Sequence, residues 1–161
     1  MLLHDAKAVF AFVLVFCAVN VLAQGPSPYG LPISLENAKK ASAAAAAEAR
    51  KNNWTMAIAV VDPSGTLVYY EKMDNTQLGS AKVAIDKACS AALFKRPTKA
   101  FQDRLTSGNA GLPILAVEGA TPIEGGIPLI VDGHIVGAIG VSGDSPEHDG
   151  QCAQAGADVF K

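Results

Sequence analysis

Asp132-Gly133 stands between two apolar runs, "IPLIV" and "HIVGAIGV", inside the stretch "EGGIPLIVDGHIVGAIGVSG" of residues 124–143. An Asp-Gly pair between strand-like segments is the strongest short hairpin signal, because a type I′ turn needs positive φ at both central positions. Hairpin strands are antiparallel, so this stretch commits the chain to an antiparallel sheet. Its glycines, Gly137, Gly140 and Gly143, raise a second question. Closely packed helices press on the strand there, or a flat ligand or neighbouring subunit meets the backbone; both can hold.

Other segments extend the pattern. In "WTMAIAVVD", Trp54 to Asp62, Trp54, Met56, Ile58 and Val60 point one way and Ala57, Ala59 and Val61 the other. Both faces are apolar, so both sides of this strand are expected to be covered. "DPSG" is a turn by composition, and "TLVYYEKMD" returns as the partner strand. Ahead of them, Ser34 caps a helix whose contact positions are Leu35, Ala38, Ser42, Ala45 and Ala49, ending at Asn52-Asn53. A second helix spans about Gly79 to Phe94, with Val83, Ala84, Ala88, Ala91 and Ala92 as a small-residue stripe. Pro97 ends it and suits the first turn of a third helix, which fades at "TSGNAG". "PILAV", Pro113 to Val117, reads as a short strand, and Asp144 or Ser145 caps a final helix.

The expected fold class is α+β: a single antiparallel sheet of about five strands with helices packed on both faces, in profilin-like layering. With 161 residues, half of them hydrophobic, the chain has the length and apolar mass of one domain. Aromatics are only 6%, so small side chains must do the packing. A net charge of −2 gives no basic excess of the kind nucleic-acid binders carry.

Residues 1–23 read as an export signal: Lys7 in a short polar start, an apolar run from Ala8 to Val19, and Val21-Leu22-Ala23 before Gln24. The run is shorter than the roughly 20 residues a membrane span needs. The expected location is therefore periplasmic or extracellular, with no span after signal removal. Residues 24–32 form a flexible Pro- and Gly-rich leader, and 33–161 the domain. Export makes a disulfide chemically feasible, but Cys89 and Cys152 each sit in a helical pattern, where free thiols are common. Asn53-Trp54-Thr55 matches a glycosylation acceptor at a sterically doubtful helix–strand junction.

The dinucleotide fingerprint, the P-loop and the nucleophile elbow are all missing. His134 and His148 have no partner at metal-ligand spacing. The most chemically loaded segment is "LFKRPTKAF", Leu93 to Phe101. Lys95, Arg96 and Lys99 gather where one helix ends and the next begins. They either complement the preceding helix C-terminus or, with Thr98 facing the ligand, hold a carboxylate at a helix start. Glu71, Lys72 and Asp74 read as surface charges or a second polar rim.

"SLENAKK", "AIAVVDPSGTLVYYEKMD", "AALFKRPTKAF", "EGGIPLIVDGHIVGAIGVSG" and "QAGAD", in this order, resemble the GlcG/HbpS-like family, the haem-binding or "haem-degrading" domain group. That group is also similar to the C-terminal domain of PduO-type corrinoid adenosyltransferases. The likeness covers Ile33 to Phe160. It implies a homo-oligomer, often an octamer, haem binding in some members, and redox or iron sensing through a partner kinase. It also places Thr98 at the haem, beside the cations Lys95, Arg96 and Lys99 that the segment itself gathers.

Three functions remain open on the sequence. The first is an exported haem or tetrapyrrole binder, a carrier or a redox/iron-sensing accessory. The second is a small-molecule enzyme of glycolate-type or haem-degrading metabolism, using Asp62, Glu124 or a cysteine. The third is a ligand-free structural accessory subunit.

Overall fold

The computed structural model describes residues 25–161; the expected export signal at 1–23 lies outside the described residues. One sheet has the order β2-β1-β4-β3, with every neighbour antiparallel. Its strands are β1 (Ala57–Val61), β2 (Leu67–Lys72), β3 (Gly126–Val131) and β4 (His134–Ser142). The helices are α1 (Leu35–Lys51), α2 (Ser80–Phe94), α3 (Lys99–Thr106) and α4 (Pro146–Ala157). Asp132 and Gly133 have φ of 49° and 77°, both in the left-handed region the β3–β4 turn requires.

Each face of the sheet is buried under helix. Met56, Ile58, Val60, Leu129, Ile139 and Val141 pack against the alanines of α1 and against Cys152, Ala153 and Ala157 of α4. On the other face Ala57, Ala59, Val61 and Ala138 meet Ala84, Ala88, Ala91 and Ala92 of α2. All five β1 residues are fully buried, as two apolar faces demand. In α1 the contact face carries Ala41 and Ala46, whereas Leu35 is exposed.

The glycines account for how closely α2 approaches. Gly126 and Gly140 are register partners on adjacent strands. A Cβ on Gly140 would lie 2.0 Å from the Ala84 carbonyl oxygen, and one on Gly126 2.3 Å from that of Lys87. The two together leave a trough in the sheet into which the helix backbone settles. Gly137 and Gly143 instead let β4 lie close to β1 and the segment leading into it, since a Cβ there would meet the carbonyl oxygens of Val61 and Thr55.

The expected fifth strand is a correction. Pro113–Val117 is not a strand; Asn109–Ala116 forms a 3-10 helix. Pro113 has no N–H to give a ladder, and Gly111 is pressed against the Arg104 carbonyl at the end of α3. A short apolar run does not distinguish strand from helix by periodicity. Leu112 and Leu115 are left exposed.

The leader, expected to be flexible, is hydrogen-bonded from Pro28 onward. Ile135 N donates to Pro28 O, Gly30 N to Ile135 O and Ile33 N to Val136 O, at 2.8–2.9 Å. The Tyr29 hydroxyl donates to Ala92 O at 2.9 Å, closing the end of α2. Cys89 and Cys152 are free thiols, and burial pushes the Cys152 thiol up to about 12.

Both expected helix starts are capped by serine: Ser34 Oγ accepts from Asn37 N, and Ser145 Oγ from His148 N. Ser145→Ala is expected to cost about 1 kcal/mol in denaturant unfolding. An unchanged midpoint would show that the cap contributes nothing.

Candidate functional site

Lys95 ends α2 in the left-handed conformation, φ 55°, and turns the chain away from the helix axis. Thr98 then fixes the junction to the sheet. Its N–H donates to Gly126 O and its hydroxyl oxygen accepts from Gly126 N, each at 2.9 Å. This double tie sets Pro97 beside Ile127, while α4 brings Gly150, Gln151 and Gln154 up as a third wall. The result is a cleft of two adjoining hollows, about 410 Å³ and 260 Å³, which share Pro97, Ile127 and Gln154.

The hollows differ in charge. The larger is lined by Glu124 and Glu147 with Lys99 between helices. Lys99 Nζ lies 2.8 Å from Asp103 and 3.8 Å from Glu124, so its charge is already engaged. Burial pushes the Glu124 carboxyl above the usual range; Lys99 opposes this, and the Glu147 and Asp103 carboxylates add to it. A raised carboxyl favours folding below its ordinary pKa, and that benefit fades as pH rises through the raised value. Glu124→Gln is therefore expected to raise Tm at pH 7 and change it little at pH 4. A loss of Tm at pH 7 would contradict this electrostatic assignment.

The smaller hollow is mostly apolar, with Ile127, Pro128, Ile130 and Ile135, and carries two cations, Lys95 and Lys161, of which Lys161 is paired with Asp158. Lys95 Nζ sits 4.0 Å over the Tyr29 ring, and among the described residues it forms no ion pair.

Behind the cleft floor lies a buried ion pair that the sequence reading did not single out. Lys87 Nζ is 2.6 Å from Asp149 Oδ2 and 3.1 Å from Val141 O, with the two side chains 1% and 3% exposed. Burial pulls the ammonium down and pushes the Asp149 carboxyl up, while their mutual contact opposes both. A Cβ on Gly125 would come within 2.8 Å of Lys87 Nζ, so the bare backbone there is what admits the ammonium. A signal was present: Lys87 falls on the same α2 face as Ala84, Ala88 and Ala91.

Of the four residues expected at a ligand, Lys95 and Lys99 line the cleft. Thr98 is fully buried with its hydroxyl on Gly126, and Arg96 turns back, donating from Nε to Phe94 O at 3.1 Å. Glu124 and Glu147 are brought in by β3 and α4. Asp62, weighed as an acid or base, organises its turn by accepting from Ser64 N, Ser64 Oγ and Thr66 N. These bonds, that from the Ser64 hydroxyl foremost, hold its carboxyl below the usual range. His134 is exposed, and His148 stacks on Trp54 with ring centroids 3.9 Å apart. Glu71 and Lys72 lie on β2, the opposite edge of the sheet from the cleft.

Thr98→Val would leave the Gly126 N–H buried without a partner, at a cost of about 1–3 kcal/mol. Equilibrium unfolding reads this directly; a neutral substitution would mean that the tie does not hold the junction.

The sequence profile described as "Haem degrading protein HbpS-like" matches residues 33–158. The chain belongs to this family. GlcG of Escherichia coli (strain K12) is 39% identical over 113 residues, which cover 68% of this chain and 81% of GlcG. The crystal structure of HbpS superposes with TM-score 0.74 at 31% identity, covering 88% of this chain and 99% of HbpS. The structure of a PduOC–haem complex superposes with TM-score 0.72 at 26% identity, covering 81% and 96%. The HbpS-like fold is thus shared over nearly the whole described chain.

Proposed function

We propose that this HbpS-like chain binds haem in the cleft between Pro97, β3 and α4. The observation that carries the reading is the pairing of an apolar wall with a cation, Lys95, that has no carboxylate partner among the described residues. Ile127, Pro128, Ile130 and Ile135 offer a face for the macrocycle, and Lys95 stands at the rim for its propionates. The larger hollow, about 410 Å³, is of the size of a small-molecule site, about 300–1,000 Å³, and the smaller, about 260 Å³, extends it. The haem carried by the related PduOC structure supports the same ligand class.

Haem brings a redox-active iron whose usual protein ligands are His, Cys, Met or Tyr. Among the described residues, none of these side chains lines the two hollows. This protomer's hold on the group therefore comes from apolar contact and charge, which suits a protein that takes up and releases it. The accompanying role is that of an exported carrier or redox/iron-sensing accessory, working as a homo-oligomer. The exposed Leu112, Leu115 and Ile123 supply apolar surface for self-association. Export predicts a mature N-terminus at Gln24 in the secreted fraction; the unprocessed chain retained in cells would count against it.

Hemin titration of the purified protein tests the ligand. A saturable Soret shift is expected, weakened about tenfold by Lys95→Ala. Hemin that only aggregates, as beside an unrelated acidic protein, would remove the reading. Steady haem loss with biliverdin formed under a reductant would replace it with an enzymatic one.

A further inference from the structure

The two ends of the cleft carry opposite charge, and that asymmetry makes a statement about which tetrapyrroles fit. We propose that the cleft selects macrocycles with acid groups along one edge, received at Lys95, and rejects those with acid groups on opposite edges, which would meet Glu124 and Glu147. This rests on the haem reading and adds to it the substrate class.

Pro97, Ile127 and Gln154 are common to both hollows, so a flat ligand laid on the apolar wall spans them. Its edge toward Ile130 and Ile135 reaches Lys95, a cation held over the Tyr29 ring and free of any carboxylate among the described residues. Its opposite edge points to Glu124 and Glu147. There the ammonium of Lys99 is already taken by Asp103 and Glu124, so it does not neutralise an incoming anion. Like charges brought together at an interface weaken binding strongly. The larger hollow also has no slack for Glu124 to swing away toward α4. Gly150 already lies so near it that a Cβ there would be 2.5 Å from Glu124 Oε1.

The test compares hemin with iron coproporphyrin III, in which further propionates replace the vinyl groups, by Soret titration at pH 7 and moderate salt. Hemin is expected to bind more tightly by about tenfold or more. In the double variant Glu124→Gln/Glu147→Gln the gap should close, mainly through tighter iron coproporphyrin III. Lys95→Ala should weaken both ligands. Tm of each variant confirms folding, and Glu147→Gln alone, at an exposed first-turn position, should narrow the gap partway. Equal affinities in the parent protein would overturn the selection. A hemin preference unchanged by the double variant would overturn its assignment to these carboxylates. Absence of binding by either ligand would overturn the haem reading itself, and the selection with it.

Discussion

Lys87→Met is expected to destabilise the protein by about 3–5 kcal/mol, because it strands the Asp149 carboxylate in the interior. The pair is 2.6 Å apart and almost wholly excluded from solvent. The remaining ties on Asp149, such as the 3.2 Å bond accepted from Asp144 N, do not replace a counter-charge. The pH dependence has a definite sign. Without Lys87, the Asp149 carboxyl, already pushed up by burial, rises further. A raised carboxyl favours folding below its unfolded pKa of about 3.9, and this is lost as pH climbs through the folded value. The variant should therefore lie closest to the parent near pH 4 and furthest from it above neutrality. Lys87→Met/Asp149→Leu should recover most of the loss, since apolar replacement of a whole buried pair is often neutral or stabilising. Denaturant unfolding of the set across pH decides this. A double variant as unstable as the single one would show that packing, not charge, sets the cost.

The second large effect falls on Gly140. Even Gly140→Ala puts a carbon 2.0 Å from the Ala84 carbonyl oxygen and 2.5 Å from the Ala88 nitrogen. Neither obstacle is a flexible side chain, so α2 must lift off the sheet or β4 must bend. Overpacking of a closed core costs about 1–3 kcal/mol where side chains yield; here backbone must yield, and about 3 kcal/mol or more is expected. Gly79→Ala is the contrast. Its Cβ would meet nothing within 4 Å and its φ is −63°, so it should be neutral or gain about 0.4–1 kcal/mol through the unfolded chain. Similar midpoints for the two variants would refute the trough beneath α2.

These two cases show where sequence was legible and where it was not. The β3–β4 hairpin, the doubly covered β1 and the alanine stripe of α2 all rest on local signals: an Asp-Gly turn, alternation and helical spacing. The hairpin and α2 recur in the structure within a residue, and β1 recurs as a doubly buried strand that starts at Ala57, three residues later than Trp54. Pro113–Val117 was misread because its length fits either element, and the deciding contact, Gly111 on Arg104, is tertiary. The site was half legible for the same reason. Lys95 and Lys99 drew attention as charges around Pro97, and they line the cleft. Thr98 drew attention too, but its partner Gly126 stands 28 residues away, and nothing local says the hydroxyl is spoken for. Glu147, in the first turn of α4, and Lys87, within α2, carry no local sequence signal of their roles. Both acquire meaning from α4 closing against β3.

The proposed resting place of a haem is the wall of Pro97 and Ile127, with Lys95 at its rim. A crystal structure of the hemin complex, with the iron located by its anomalous signal, tests this directly. The predicted result is an iron peak between Pro97 and α4, propionate density reaching Lys95, and β2 clear of ligand. An iron peak on β2, or on any surface that leaves the Pro97–Gln154 cleft empty, would contradict it.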